Sequence, residues 1–511
     1  MSLSVVRTRA NLGIDAPLVT IEVHLSTGLP GFHLVGLPET TVKESRDRVR
    51  SAIINSGFEF PSHRITVNMA PADLPKGGGR FDLAIAIGIL TASEQIPVKD
   101  LSEFEFVGEL ALSGALRSIQ GALPMACAVK KSKRCLILPE SNASEASLVS
   151  NTKVLAAKSL WDVYLHLTDK QALPMAQLNS VDDAQSDENA DMDLADIVEQ
   201  QAAKRALILA AAGGHNMLLF GPPGTGKSML ASRLVTILPT LPEEDALTVA
   251  SIKSVVGEQV SANNWLQPNF RQPHHSSSAT AIVGGGSYPM PGEITLAHKG
   301  VLFLDELPEF GRHVLDVLRE PLETGEIHLS RAKHKVTYPA DFQLIAAMNP
   351  SPTGDHTDKR ANADQVLRYL NRLSGPLLDR IDMQVNVPKV DIKKSIEAST
   401  GEGPSERLSS KQARQGVQKA VDIQLARQGK LNAALNNKEL NMHCKLDAAC
   451  SNFLTNASEK LGLSMRSYHR TIKVARTIAD IANINDIQHQ HLAEALSYRS
   501  FDRLLHQLAN N

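Results

Sequence analysis

The alternation of apolar and polar residues predicts the first elements of the chain. Val19, Ile21, Val23 and Leu25 are apolar, with Thr20, Glu22 and His24 between them. That is the period-two pattern of a strand with one buried face. Ile65, Val67 and Met69 repeat it, and Val42, Val49, Ile53 and Ile54 fall on one helix face that Gly57 terminates. The N-terminal block therefore predicts a compact α+β domain. Further along the pattern changes. Met217–Phe220, Val301–Leu304 and Gln343–Met348 are short continuous apolar runs between turns. Such runs suit a parallel sheet buried on both faces, so residues 196–395 predict an α/β fold. The last block, 411–511, is helical and contains no convincing strand.

Charge marks the boundaries. From Asp182 to Asp196 there are seven acids and no base, a self-repelling run without apolar periodicity that reads as a solvated tether. Ser399–Ser410, rich in Gly, Ser, Glu and Pro, is a second, weaker break. The expected organisation is an N-terminal domain at 1–175, an acidic linker at 176–195, a core at 196–395, a connecting segment at 396–410 and a helical domain at 411–511. This fits the three or four domains that a length of 511 residues suggests.

Composition excludes more than it selects. Charged residues are 21%, and 53 Lys and Arg against 55 Asp and Glu give a net charge of −2, so any polyanion-binding surface must be local. Aromatic residues, at 4%, are too few for a stacking platform of the single-strand-binding type. Cys127, Cys135, Cys444 and Cys450 include no C-x-x-C pair, which fits a reducing cytoplasm. Buried structural thiols are the plain reading of Cys444 and Cys450, and a metal site with His443 is the alternative. No signal-peptide layout opens the chain, and the apolar run Leu83–Ala92 is far too short to span a bilayer. The expectation is a cytoplasmic protein with no membrane partner.

The chemistry lies in the core. Gly221-Pro222-Pro223-Gly224-Thr225-Gly226-Lys227-Ser228 is a complete Walker A loop between a strand and a helix. Its glycines let backbone N–H groups wrap phosphates at a helix N-terminus. Lys227 is expected on the β/γ oxygens and the Ser228 hydroxyl on Mg²⁺. About eighty residues later, Asp305 and Glu306 end a strand as a Walker B pair. Asp305 would hold Mg²⁺ and Glu306 would polarise the attacking water. Asn349 ends a third strand, where its amide would touch the γ-phosphate and that water. Arg380, in Gly375–Asp382, would reach the phosphate of a neighbouring subunit as an arginine finger, or would simply pair with Asp379 or Asp382.

These stretches carry a resemblance. Residues 196–395 resemble an AAA+ ATPase module of the magnesium-chelatase type, and the whole chain is similar to the YifB/ComM family. The matching stretches include Ala212–Asn216, Arg271–Ser276, Val283–Gly286, Pro291–His298, Leu302–Phe310, Leu329–Ala332, Asn349–Pro350 and Val474–Asp480. The implied architecture is α/β: a P-loop AAA+ core with a parallel sheet, an N-terminal Lon-protease-like α+β domain and a C-terminal helical lid. The resemblance also implies ATP and Mg²⁺ as cofactors, ring assembly (usually hexameric), Arg380 as the trans-acting finger and Arg466 as the lid's sensor-2 arginine. It further implies a helix-2 insert within 252–298, a hairpin before the Asn349 strand, and single-stranded and branched DNA as partners. The implied activity is branch migration while incoming single-stranded DNA is integrated by recombination in natural transformation, alongside recombination proteins as potential partners.

The hairpin can also be read directly. Glu326–Leu329 and Lys335–Tyr338 alternate around a basic tip, so Arg331, Lys333 and Lys335 are candidate phosphate contacts. Ordinary solvated charge is the alternative. From Lys411 to Arg476, twelve Lys and Arg face four acids. Arg466, Arg470 and Lys473 share a helix face there, opposite a stripe of Met465, Tyr468, Ile472 and Ala475 expected to be buried. Arg7, Arg46, Arg48, Arg50, Lys76 and Arg80 are weaker candidates in the first domain. That domain offers no Ser in Leu74–Asp82 and no Lys in Ser118–Leu123, where Lon-type catalysis would need them, so acyl transfer has no route. A thiolate site after Asn349 is excluded by Ser351–His356, and His274-His275 lack a third metal ligand in phase. The competing functions are a metal-insertion motor of the magnesium-chelatase type, a protein-remodelling ATPase, and a nucleotide-gated scaffold.

Overall fold

The computed structural model describes residues 2–36, 44–97, 100–177, 192–286, 288–330, 335–351, 363–389 and 407–503. Most of the acidic tether and of the 396–410 segment lies outside these residues, as do Val42, Arg331, Lys333 and 352–362. The chain divides into two compact units. The first comprises Met1–Ala184, Pro242–Leu266 and Ser330–Tyr338, and the second Gln185–Leu241, Gln267–Leu329 and Pro339–Asn511.

In the first unit, Leu18–Ser26 and Arg64–Ala70 form strands whose alternate residues are buried, as their sequence pattern requires. They sit inside a four-stranded sheet with Ser2–Arg9 on one edge and Gly31–Val35 on the other. The helix Asp82–Ala92 is apolar almost all round and buries ten of its eleven residues, which makes it a core helix. A three-stranded parallel sheet of Phe104–Phe106, Cys135–Pro139 and Lys153–Ala157 completes the unit. The helix Glu243–Val256 also packs here. Ala250 is buried with Leu123, Ala126 and Val129 of the helix Ala122–Ser132, and Gly121 N donates to Ser254 O at 2.9 Å. Its place in the sequence predicts the 196–395 core, but its packing places it with the first unit.

The second unit is built on a five-stranded sheet in the order Phe270–Arg271, Val301–Leu304, Gln343–Met348, Met217–Phe220, Met383–Asn386. All its pairings are parallel. The three central runs are wholly buried, which is why they lack alternation. Helices cover the sheet. Gln201–Gly213 and Lys227–Ile237 bury Leu207 and Leu234 in the same core as Leu219 and Phe303. The C-terminal block is helical as expected, with Ser410–Gln428, Ala448–Leu461, Met465–Ile481 and His489–Ser497 as its main helices. Val417, Leu454, Ile472 and Leu492 join that core, so these helices and the sheet are one apolar body. Each such side chain stabilises it by roughly 1.5–3 kcal/mol. Met465 departs from the expected stripe. It is the first residue of its helix, ahead of the packed turns, and is 68% exposed.

Candidate functional site

Parallel strands share one carboxyl edge, and in this sheet the order reverses at Met217–Phe220, between Gln343–Met348 and Met383–Asn386. The crevice outside such a switch point is where open α/β sheets place ligands. The residues after Phe220, Leu304 and Met348 all emerge there.

The loop after Phe220 needs its glycines for different reasons. A Cβ on Gly221 would lie 2.1 Å from Val387 O, so the backbones can approach only without one. Gly226 has φ +85°, a left-handed turn that starts the helix Lys227–Ile237. No side chain caps that helix, so its first N–H groups are available for an anion. Lys227 is buried, and its Nζ donates to Gly221 O at 2.8 Å, Pro222 O at 2.9 Å and Asn349 Oδ1 at 3.0 Å. Burial pushes its pKa down, while Asp305 and Glu306 push it back up. An ammonium ion held among uncharged carbonyls still requires an anion. The Ser228 hydroxyl donates to Asp305 Oδ2 at 2.6 Å, and the other Asp305 oxygen accepts Glu306 N at 2.9 Å. A hydroxyl and a carboxylate converging in this way are the hard oxygen donors that suit Mg²⁺. These groups, with Pro223–Met229 and Met348, line a cleft of about 420 Å³. That volume lies in the range of small-molecule sites.

The expected residues Lys227, Ser228, Asp305, Glu306 and Asn349 are therefore brought together. Glu306 sits at φ +53°, with its carboxylate 3.3 Å from His275 Nδ1. From sequence His275 is a candidate metal ligand only, and the fold places it beside Glu306 instead. Among the described residues there is no cluster of three His, Cys, Asp or Glu that would hold a metal on its own.

Arg380 and Arg466 do not line this cleft. Arg380 is nearly buried, and its partner is neither Asp379 nor Asp382 but Glu323. The reason is that both aspartates are taken. Asp382 turns inward to Arg470 and to Asn216 N (2.9 Å). Asp379 accepts from the Ser464 hydroxyl at 3.3 Å and faces Arg466 at 4.0 Å. Arg466 is 64% exposed. Asn216 fixes this corner, since its amide donates to Arg380 O at 3.1 Å and accepts Leu344 N at 2.8 Å.

The basic C-terminal face is mostly occupied. Arg470 is held by Asp382, Lys473 Nζ donates to Ala433 O at 2.9 Å, and Arg476 pairs with Asp480 at 3.1 Å. Burial also pushes the Lys473 pKa down. These three are packing residues rather than a polyanion surface. In the first unit, Lys76 is fully buried against backbone carbonyls and Arg48 is paired with Asp82 at 2.8 Å. Arg46 and Arg50 remain exposed, as does Lys335 at the start of the strand Lys335–Pro339.

Burial pushes the Asp382 carboxyl up, but the Arg470 guanidinium overcomes this and holds it well below the ordinary carboxylate range. Its folded pKa is depressed, so its contribution is complete above the unfolded value of about 4 and is lost as pH falls below that. Asp382→Asn is expected to cost about 3 kcal/mol at neutral pH by leaving Arg470 unpaired. The deficit should shrink as pH falls below about 4. Urea unfolding of the full chain at pH 7 and pH 3.5 checks both statements.

A family profile described as magnesium chelatase, subunit ChlI, matches residues 193–395. Profiles described as subunit ChlI of Mg-chelatase and its C-terminal region match 21–142 and 407–499. The chain is 55% identical to competence protein ComM of Haemophilus influenzae over 100% of both chains. It is 53% identical to YifB of Escherichia coli over 99% of this chain and 98% of that one. Similarity to the magnesium-chelatase 38 kDa subunit of Cereibacter sphaeroides is lower, at 27% over 30% of this chain and 51% of that subunit.

Proposed function

Because the chain belongs to the YifB/ComM family, with a magnesium chelatase-type AAA+ core, we propose that it is an ATPase that drives DNA through a ring of its own copies. The substrate we infer is branched DNA in which an incoming single strand is being integrated during transformation, and the output is branch migration. The observation that carries the ATPase part is the convergence of Lys227, Ser228, Asp305, Glu306 and Asn349 on one sheet edge. The full-length likeness to a competence protein supports the DNA part.

In this reading Lys227 exchanges its carbonyl partners for β/γ-phosphate oxygens, which neutralise it better. Ser228 and Asp305 would hold Mg²⁺, which when bound screens the phosphate charge. Glu306 polarises and orients the attacking water, and Asn349 positions it against the γ-phosphate. Arg380 of the adjacent protomer spreads the charge of the transition state. Arg466, on the 411–511 lid, senses the nucleotide of its own protomer. A finger supplied to a neighbour needs a closed assembly, and the magnesium chelatase-type likeness supports a ring, which we infer to be a hexamer. The basic hairpin residues Arg331, Lys333 and Lys335 would track phosphates.

No helix among the described residues is long and apolar enough to cross a membrane. The test is the ATPase rate with and without single-stranded and branched DNA at two salt concentrations. DNA is expected to stimulate turnover, and the stimulation should weaken steeply with salt, because each neutralised phosphate contributes about −0.7 to −0.9 to the log–log slope. Indifference to DNA together with stimulation by an unfolded protein would replace this reading with protein remodelling.

A further inference from the structure

Arg380 is a nearly buried arginine among three other arginines, and its acidic partner, Glu323, stands at the surface. The Arg380 side chain is 11% exposed, yet its Nε has no acceptor among the described residues. One of its terminal nitrogens, Nη1, donates to Pro376 O at 2.6 Å, and the other meets the Glu323 carboxylate. Burial pushes its pKa down, as do the charges of Arg466, Arg470 and Arg319, while Glu323 opposes them. Arg319 and Arg470 are already taken by Asp316 and Asp382. A buried guanidinium with an orphaned donor, amid three other arginines, is held at a cost.

Glu323 itself is 56% exposed. It lies on the single turn Pro321–Thr324, which runs through Gly325 (φ +71°) straight into the hairpin strand Glu326–Ser330. Little slack separates them. Thr324 Oγ1 bonds to Glu320 O at 3.0 Å and accepts Glu326 N at 3.2 Å, and Gly325 O accepts Ala340 N at 2.7 Å. A displacement of the hairpin stem would therefore carry the Glu323 carboxylate with it.

We propose that Glu323 is a latch on the finger: it holds the Arg380 guanidinium inside its own protomer, and a shift of the hairpin stem releases it to the neighbouring ATP site. The latch rests on the reading of Arg380 as a trans-acting finger. It makes the grip on DNA and the completion of the next site one event, because the same stem carries the hairpin and the residue that restrains the finger. Glu323 acts here as a positioning residue and touches no reacting atom.

The test is Glu323→Gln in the full chain, assayed for ATPase activity at protein concentrations where rings are present. Gln keeps the shape and loses the charge. The DNA-free kcat is expected to rise roughly two- to fivefold, the range set by releasing one partly exposed ion pair. The DNA-saturated kcat and the KM should stay at wild-type values, so the stimulation ratio collapses. Glu323→Asp, which keeps the charge on a shorter arm, should fall between the two. The double variant Glu323→Gln, Arg380→Ala should be as inactive as Arg380→Ala alone. An unchanged basal rate with the full stimulation ratio overturns the latch. So does a parallel fall in basal and stimulated rates, which would make Glu323 a support of the finger. If Arg380→Ala alone retains turnover, the finger reading fails first and the latch falls with it. If the wild type ignores DNA, the motor reading fails while a raised basal rate still reports the latch.

Discussion

Lys227→Ala abolishes nucleotide binding, whereas Glu306→Gln binds nucleotide normally and fails to turn it over. The two outcomes separate because the residues act on different parts of the substrate. Lys227 Nζ is partly desolvated and bonded only to neutral oxygens at 2.8–3.0 Å, so phosphate is a better partner than any it now has. Removing it leaves the loop glycines and helix N-terminus to bind several negative charges without the ammonium on the β/γ oxygens, which the Mg²⁺ on Ser228 and Asp305 does not replace. Glu306 contributes nothing comparable to binding, since it sits beside the Mg²⁺-type ligands and contacts His275 rather than the loop. Its carboxylate is a base and orienting group for water, worth typically a hundred- to ten-thousandfold in rate, about 3–5 kcal/mol of barrier. Fluorescent-nucleotide binding and phosphate release measured on the same preparations check both halves. Normal hydrolysis in either variant refutes the site.

Arg380→Ala should leave nucleotide affinity nearly intact and lower kcat roughly a thousandfold or more, the range of arginine fingers supplied from outside the site. Arg380 is nearly buried and lines no part of its own protomer's cleft, so it cannot act there without moving. The loss should appear in assembled protein as a pure kcat effect. Single-turnover kinetics with preloaded nucleotide separate it from any change in assembly. A drop confined to KM would mean that Arg380 serves binding.

The sequence was most informative where chemistry and periodicity coincided. Met217–Phe220, Val301–Leu304 and Gln343–Met348 were legible as buried strands because continuous apolar runs end there in polar or glycine residues. The same ends carry the Walker loop, Asp305 and Asn349, so most of the site was legible too. The two outer strands were not. Phe270–Arg271 is only two residues, and Gln384 interrupts the apolar run of Met383–Asn386. The partner of Arg380 was also hidden. Adjacent acids in sequence, Asp379 and Asp382, were the obvious candidates, but the fold turns Asp382 inward to Arg470 and brings Glu323 in from another element. The helix Glu243–Val256 packs with the first unit through Ala250 and Ser254, contacts that no local pattern encodes. Part of the +8 balance from Lys411 to Arg476 is spent inside the fold for a related reason, in Arg470, Lys473 and Arg476.

The central claim is that phosphoryl transfer occurs where two protomers meet. Mixing Arg380→Ala with Glu306→Gln tests it most directly. A site is complete when its own protomer keeps Glu306 and its neighbour keeps Arg380, so an equimolar random mixture should recover about a quarter of wild-type turnover from two dead components. A mixture that forms mixed rings yet stays as inactive as either variant alone would contradict the account.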